Sequence, residues 1–290
     1  MSFRPTLIRQ AVRRWAKQSD FTWRYMLNLG PTLSYSLDRA RLDHESARVL
    51  QDLNRDGIAV TSAEALLQSR PHYRELLEMS QRLEMEQSEE MAVARAACAS
   101  DQATVQKPFL YCMLGADPRI DTRSIFARFV LETPVAAIAN AYFGMHCALS
   151  TYNIWRNFVT DKAPYQSQLW HRDPEDRYIL KVFLCLSDVD DGAGPFTYAP
   201  GTHPKGAVRQ TPAHVLKDGQ TARSDDSQMN AVVPQRRWVK GTGPIGTMIF
   251  ADTRGYHKGG LSRERERLLY IAEFLSPMGG HGVSTRGGMS

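Results

Sequence analysis

The chain has 290 residues, 42% of them hydrophobic, with a mean hydropathy of −0.40 and a formal net charge of +5. That length suits one well-buried domain with an elaborated N-terminus, or at most two small domains. No stretch approaches the long apolar run a membrane span needs, and the modest positive charge suits an anionic substrate without pointing to nucleic acid. The four cysteines (Cys98, Cys112, Cys147, Cys185) form no C-x-x-C pair. They read as reduced, packed thiols of a cytoplasmic protein.

In chain order, the first segment places Arg4, Arg9, Arg13, Arg14 and Lys17 beside Leu7, Ile8, Val12 and Trp15, a spacing that predicts a basic amphipathic helix. A helix docked on the protein with its arginines in water is the preferred reading. Peripheral membrane contact or a targeting peptide is the alternative, although the apolar core of a secretory signal is missing. Helical periodicity follows over Ser46–Leu53, Ser62–Leu67 and a third stretch from Tyr73 to Ala97, with a short β-like run Ile58-Ala59-Val60 after Asp56-Gly57. From Tyr142 onward, β-branched and aromatic runs punctuated by Gly, Pro and Asp take over. The expected organisation is a helical region at 1–110 packed on a β core at 111–280, with a flexible tail at 281–290. A polar insertion at about 205–240 interrupts that core and has the character of a lid. The fold class is α+β with a mainly β core, a double-sheet jelly roll with helices packed on one side.

The chemistry concentrates at His171-Arg172-Asp173. A strand alternates its side chains, so His171 and Asp173 project from one face and Arg172 from the other. With His257 downstream, two imidazoles and a carboxylate would hold one metal ion and leave adjacent positions open, as in non-haem Fe(II) oxygenases. A His-x-Asp triplet alone is a weak signal, since a core histidine followed by a turn at Asp173-Pro174 gives the same letters.

The surroundings strengthen it. The triplet lies in Gln168-Leu169-Trp170-His171-Arg172-Asp173-Pro174, followed by the apolar run Tyr178–Leu186 and the turn Asp188–Gly194. A Pro200-Gly201-Thr202-His203 corner comes next, then His257-Lys258-Gly259-Gly260 and an arginine-headed strand Arg267–Phe274. In these motifs the chain resembles the phytanoyl-CoA dioxygenase family over roughly residues 140–275.

The resemblance implies a double-stranded β-helix (cupin-like) core and three metal ligands, His171, Asp173 and His257. It also implies Fe(II), 2-oxoglutarate as co-substrate and O₂. The expected reaction is hydroxylation of a small or carrier-linked organic molecule coupled to decarboxylation of the 2-oxo acid. The presence of Asp173 argues against halogenation, because the related halogenases lack that carboxylate.

The distal carboxylate of the co-substrate needs a buried guanidinium. Alternation does not choose among Arg263, Arg265 and Arg267, but Arg267 directly precedes the apolar strand, where burial is possible. Arg156, in Tyr152–Phe158, sits where related proteins place a basic residue facing the site; either a structural carboxylate or a bound acid would pair with it. Thr197 is the candidate hydroxyl beside the co-substrate, with Tyr152 and Thr202 as alternatives. Trp155 and Trp170 are candidates for the pocket wall, His203 for a polar position near its mouth, and Lys162, Arg209, Arg236 and Arg237 for a basic rim. Two other readings stand beside the oxygenase: a cupin-like metal enzyme that does not use 2-oxoglutarate, and a non-catalytic binding protein of the same fold.

Overall fold

Alternation in the long strands builds a sheet with two different faces, one for helices and one for chemistry. The computed structural model describes residues 19–67, 71–100, 107–218, 221–279 and 283–284. The basic segment at the N-terminus lies outside them. Its strands are β1 (Ile58–Ser62), β2 (Leu110–Cys112), β3 (Ala148–Asn157), β4 (Ile179–Cys185), β5 (Thr197–Tyr198) and β6 (Leu216–Asp218). They continue with β7 (Thr221–Arg223), β8 (Val239–Lys240), β9 (Thr247–Ala251), β10 (His257–Lys258), β11 (Arg267–Leu275) and β12 (Val283–Ser284).

The major sheet is antiparallel in the order β1-β9-β4-β11-β3-β12, with β2 also paired to β3. A smaller sheet runs β10-β5-β8, and β6 and β7 form a separate hairpin. Two sheets with helices against the outer face of the larger one make the expected mixed jelly roll, here left open rather than closed. Val283–Ser284, in the segment expected to be a flexible tail, pairs with β3.

On β11, Leu268, Tyr270, Ala272 and Phe274 face the helices, together with Leu180, Val182 and Leu184 of β4 and Phe250 of β9. Leu269 and Ile271 face the other way and meet Phe183, Cys185 and Ile249. Both faces of these central strands are covered, which explains why their sequences read as nearly continuous apolar runs.

The helices are α1 (Leu29–Leu37), α2 (His44–Asp56), α3 (Ala63–Leu66), α4 (Pro71–Glu86), α5 (Ser88–Ala99), α6 (Ile125–Val130), α7 (Thr133–Phe143) and α8 (Asp226–Asn230). The third helical stretch expected from the sequence divides at Gln87, whose backbone leaves the helical region and whose side chain donates to the Met113 carbonyl at 3.0 Å. Glu89 and Glu90 then occupy the first turn of α5, where carboxylates are favoured. The β pattern read from Tyr142 begins later, at Ala148, because α7 continues to Phe143 and stops at Gly144 in the left-handed conformation.

Helix α2 begins at Asp43, whose side chain accepts the Ser46 amide, and ends at Gly57 with φ +81°. That glycine turns the chain straight into edge strand β1, and its carbonyl accepts the Asp252 amide at 2.8 Å. A Cβ at Gly57 would overlap the Tyr198 hydroxyl and the His203 ring. Gly57→Ala is therefore expected to destabilise the protein by more than about 1 kcal/mol, from both the left-handed φ and the overlap. Urea unfolding measures it, and an unchanged midpoint would refute this account of the α2–β1 turn.

Candidate metal centre

His171 and His257 face each other across an antiparallel bridge, the His171 amide donating to the His257 carbonyl at 3.0 Å and the reverse bond at 3.1 Å. Directly opposed residues of an antiparallel pair share a face, so the two rings lie together, 4.3 Å between centroids. Asp173, two residues on, returns to that face while its amide donates to the Thr253 carbonyl at 2.9 Å. Arg172 points away, stacked over the Tyr256 ring and donating to the Thr202 carbonyl. The ligand atoms of His171, Asp173 and His257 all lie within 4.8 Å of one another.

The donor set suits a divalent cation. A carbonyl can only accept, so the contacts of His171 Nδ1 with the Leu169 carbonyl (2.8 Å) and of His257 Nδ1 with the Gly255 carbonyl (3.0 Å) require both Nδ1 atoms to carry the proton. Each Nε2 is left with a lone pair directed inward, 3.7 Å (His171) and 3.6 Å (His257) from the Asp173 carboxylate oxygens. Such backbone contacts fix the tautomer and aim of a metal-binding imidazole. Burial lowers both imidazole pKa values; at His171 the second imidazole adds to the effect. Burial would raise the Asp173 carboxyl, but the Lys181 ammonium outweighs it and holds the group well below the usual carboxylate range.

Lys181 is a site residue that the sequence reading missed. Its Nζ lies 2.6 Å from Asp173 Oδ2 and 3.4 Å from Glu273. One Asp173 oxygen is thereby tied while Oδ1 faces His171. Two opposite charges inside otherwise apolar strands, Lys181 in β4 and Glu273 in β11, were the available signal. Their direct cross-strand pairing explains them.

A cavity of about 300 Å³ opens beside the triad. Its wall includes Lys107, Phe109, Trp155, Asn157, Phe183, Phe196, Arg223, Arg267 and Ile271. Arg267 is 3% exposed and donates through Nη2 to Asn157 Oδ1 at 3.2 Å. Its Nε and Nη1 are buried with no partner among the described residues. Burial lowers its pKa to about 10, and the nearby Cys185 thiol offsets this only partly.

Several expected positions lie elsewhere. Arg156 shares the parity of Tyr152 and Ile154, so it faces the helical layer, where it pairs with Glu84 and, at 3.9 Å, with Glu266. Of the two partners expected for it, structural carboxylates stand beside its charge. Thr197 lies off the cavity wall and donates to the Pro195 carbonyl at 3.1 Å. Tyr152 donates to the Arg119 carbonyl and Thr202 to the Ala199 carbonyl. Trp155 lines the cavity, whereas Trp170 packs behind it against Trp238. His203 is fully buried near the Asn54 carbonyl, away from the wall. Of the basic rim expected, Lys162, Arg209, Arg236 and Arg237 are absent from the wall. Arg263 donates to the Thr160 carbonyl and Arg265 pairs with Asp190.

Because the folded histidine pKa values lie below the unfolded value of about 6.5, their contribution to stability is complete above that pH and is lost as pH falls through it. Metal-free protein is expected to lose stability from about pH 6.5 to 5, by at most roughly 1.4 kcal/mol per pH unit per histidine. Urea melts in a chelator measure the slope, which should flatten in His171→Gln. Equal slopes in both proteins would contradict the buried neutral pair.

No protein-family model matches the sequence, and no curated protein matches it. Solved structures do. EctD from S. alaskensis with bound Fe aligns at 18% identity over 82% of this chain and 80% of that one, with a TM-score of 0.53. The same enzyme with 2-oxoglutarate and 5-hydroxyectoine aligns at 17% identity over 82% and 79%, with a TM-score of 0.50. SnoK, a non-heme alpha ketoglutarate dependent carbocyclase from nogalamycin biosynthesis, aligns at 13% identity over 81% and 85%, also with a TM-score of 0.50. The chain therefore has the jelly-roll fold that these non-haem enzymes share.

Proposed function

We propose that this protein is a non-haem Fe(II)- and 2-oxoglutarate-dependent oxygenase of the phytanoyl-CoA dioxygenase type that hydroxylates an organic substrate. The observation that carries the proposal is Arg267. An unpaired buried cation is expensive, and this one stands in the same cavity as a facial His–Asp–His set. A carboxylate accepting one of the N–H groups left without a partner would give this cation its counter-charge. The fold it shares with EctD and SnoK, which are described with iron or with 2-oxoglutarate, supports the reading.

Bound Fe(II) would supply activation of O₂ coupled to decarboxylation of the 2-oxo acid. The chain supplies the rest. His171 and His257, each held by a backbone carbonyl, and Asp173, held by Lys181, orient the ion. Asn157 fixes the Arg267 fork that would take the distal carboxylate of 2-oxoglutarate. Trp155, Phe183, Phe196 and Ile271 exclude water and offer an apolar surface to the carbon that is oxidised.

Anaerobic titration of the Fe(II)-loaded protein with 2-oxoglutarate is expected to give a saturable visible charge-transfer band. Arg267→Ala should weaken 2-oxoglutarate binding roughly 10- to 100-fold, the loss of one or two charge-assisted hydrogen bonds. Iron binding without a band would favour a cupin-like metal enzyme that does not use the 2-oxo acid. Absence of iron binding would exclude the oxygenase.

A further inference from the structure

Residues 21–37 meet the rest of the protein with one face only. They form a π-helical segment, Thr22–Leu27, followed by α1, with Asn28 at the junction. The Thr32 hydroxyl ties the two together by donating to the Asn28 carbonyl at 2.8 Å. Trp23, Asn28, Thr32 and Tyr35 are buried and make the inner face. Trp23 Nε1 donates to Ser276 Oγ at 2.9 Å, Asn28 Oδ1 accepts the Met278 amide at 3.1 Å, and the Tyr35 ring stands edge-on to His146. Arg24 is the single charged residue between Phe21 and Leu37, and it also turns inward, donating to the Gly144 carbonyl and the Tyr178 hydroxyl.

The outer face carries Phe21, Tyr25, Met26, Leu29, Leu33 and Leu37, exposed by between 43% (Leu29) and 90% (Leu37). Five of the six recur at every fourth residue, the spacing that makes neighbours on a helix surface. The Phe21 and Tyr25 rings lie 5.4 Å apart between centroids. A lone exposed leucine needs no explanation, whereas a contiguous apolar run of this length marks an interaction surface.

Charge and size select its occupant. Residues 1–18 hold Arg4, Arg9, Arg13, Arg14 and Lys17 and no acid, which equals the whole formal net charge of +5. The remaining residues balance. Asp20 and Asp38 bound the stripe, and Arg39 and Arg41, both exposed, follow it. A strongly basic segment joined to an uncharged apolar stripe is the composition of an element that lies on an anionic lipid surface, where apolar burial and headgroup attraction add. A second copy of the chain fits the face poorly. Six side chains fall well short of the roughly 20–30 residues per side that a stable interface uses. A self-complementary contact there would also bring two basic segments together.

We propose that this face docks the protein on an anionic membrane. The six apolar side chains enter the boundary between headgroups and acyl chains, and the charges of residues 1–18 are attracted by the headgroups. The docking is independent of the metal centre and of its chemistry.

The test is flotation of the full chain with vesicles of phosphatidylcholine alone and of equal parts phosphatidylcholine and phosphatidylglycerol. Binding to the anionic vesicles is expected to be roughly tenfold or more tighter than to the neutral ones, and to weaken as NaCl rises from about 0.1 to about 0.5 M. Leu33→Gln with Leu37→Gln should weaken it roughly tenfold or more, as should Phe21→Gln with Met26→Gln, because each pair withdraws two apolar side chains from burial in lipid. Both pairs lie on the solvent side, so urea midpoints equal to that of the wild type are expected and separate lost docking from lost folding. Arg13→Gln with Arg14→Gln should cost a similar factor at low salt and little at high salt. No binding, equal binding to the two kinds of vesicle, or anionic binding that survives both stripe variants overturns the proposal. A lipid-free dimer that the stripe variants dissociate overturns it too, and assigns the face to a second copy.

Discussion

Two reciprocal backbone hydrogen bonds between His171 and His257 join segments far apart in the sequence, and the candidate centre depends on them. The bridge fixes which faces of the two segments coincide. Strand alternation then brings Asp173 to the same side. Each histidine uses its own chain to set its tautomer, through the carbonyl two residues earlier. The turn at Gly255 that provides one of those carbonyls packs so closely on the Tyr198 hydroxyl that a side chain there would overlap it. A metal site of this kind is built by backbone geometry before its side chains contribute.

Charge is the second constraint. The cavity gathers Asp173, Glu175, Lys107, Lys181, Arg223 and Arg267 among aromatic and aliphatic walls. Buried charges persist only with partners, and here the partners are unevenly distributed. Among the described residues, Lys181 has two carboxylates, whereas Arg267 has one amide oxygen for its five donors.

The helical layer answers a different requirement. It covers the outer face of the major sheet, and the charged residues it meets there are structural. Arg156 illustrates the point: one residue along β3 in either direction, Trp155 and Asn157 line the cavity, while Arg156 turns to Glu84 of α4.

Much of the site was legible in order and spacing. The His-x-Asp triplet, the later His257, the glycine-rich turns between them and the arginine heading an apolar strand are local patterns, and local patterns survive without coordinates. Period two says that a strand has two faces, and the sequence alone determined that residues of one parity travel together. It did not determine which parity meets the cavity. Arg156 and Thr197 lie off the cavity wall for that reason, and Lys181 and Glu273 went unread, because their meaning lies in cross-strand register. Lys107 and Arg223 reach the cavity from a turn and from the insertion, positions that no periodicity encodes. Only the tertiary structure decided these, since a charge inside a fold takes its role from the groups that long-range packing sets beside it.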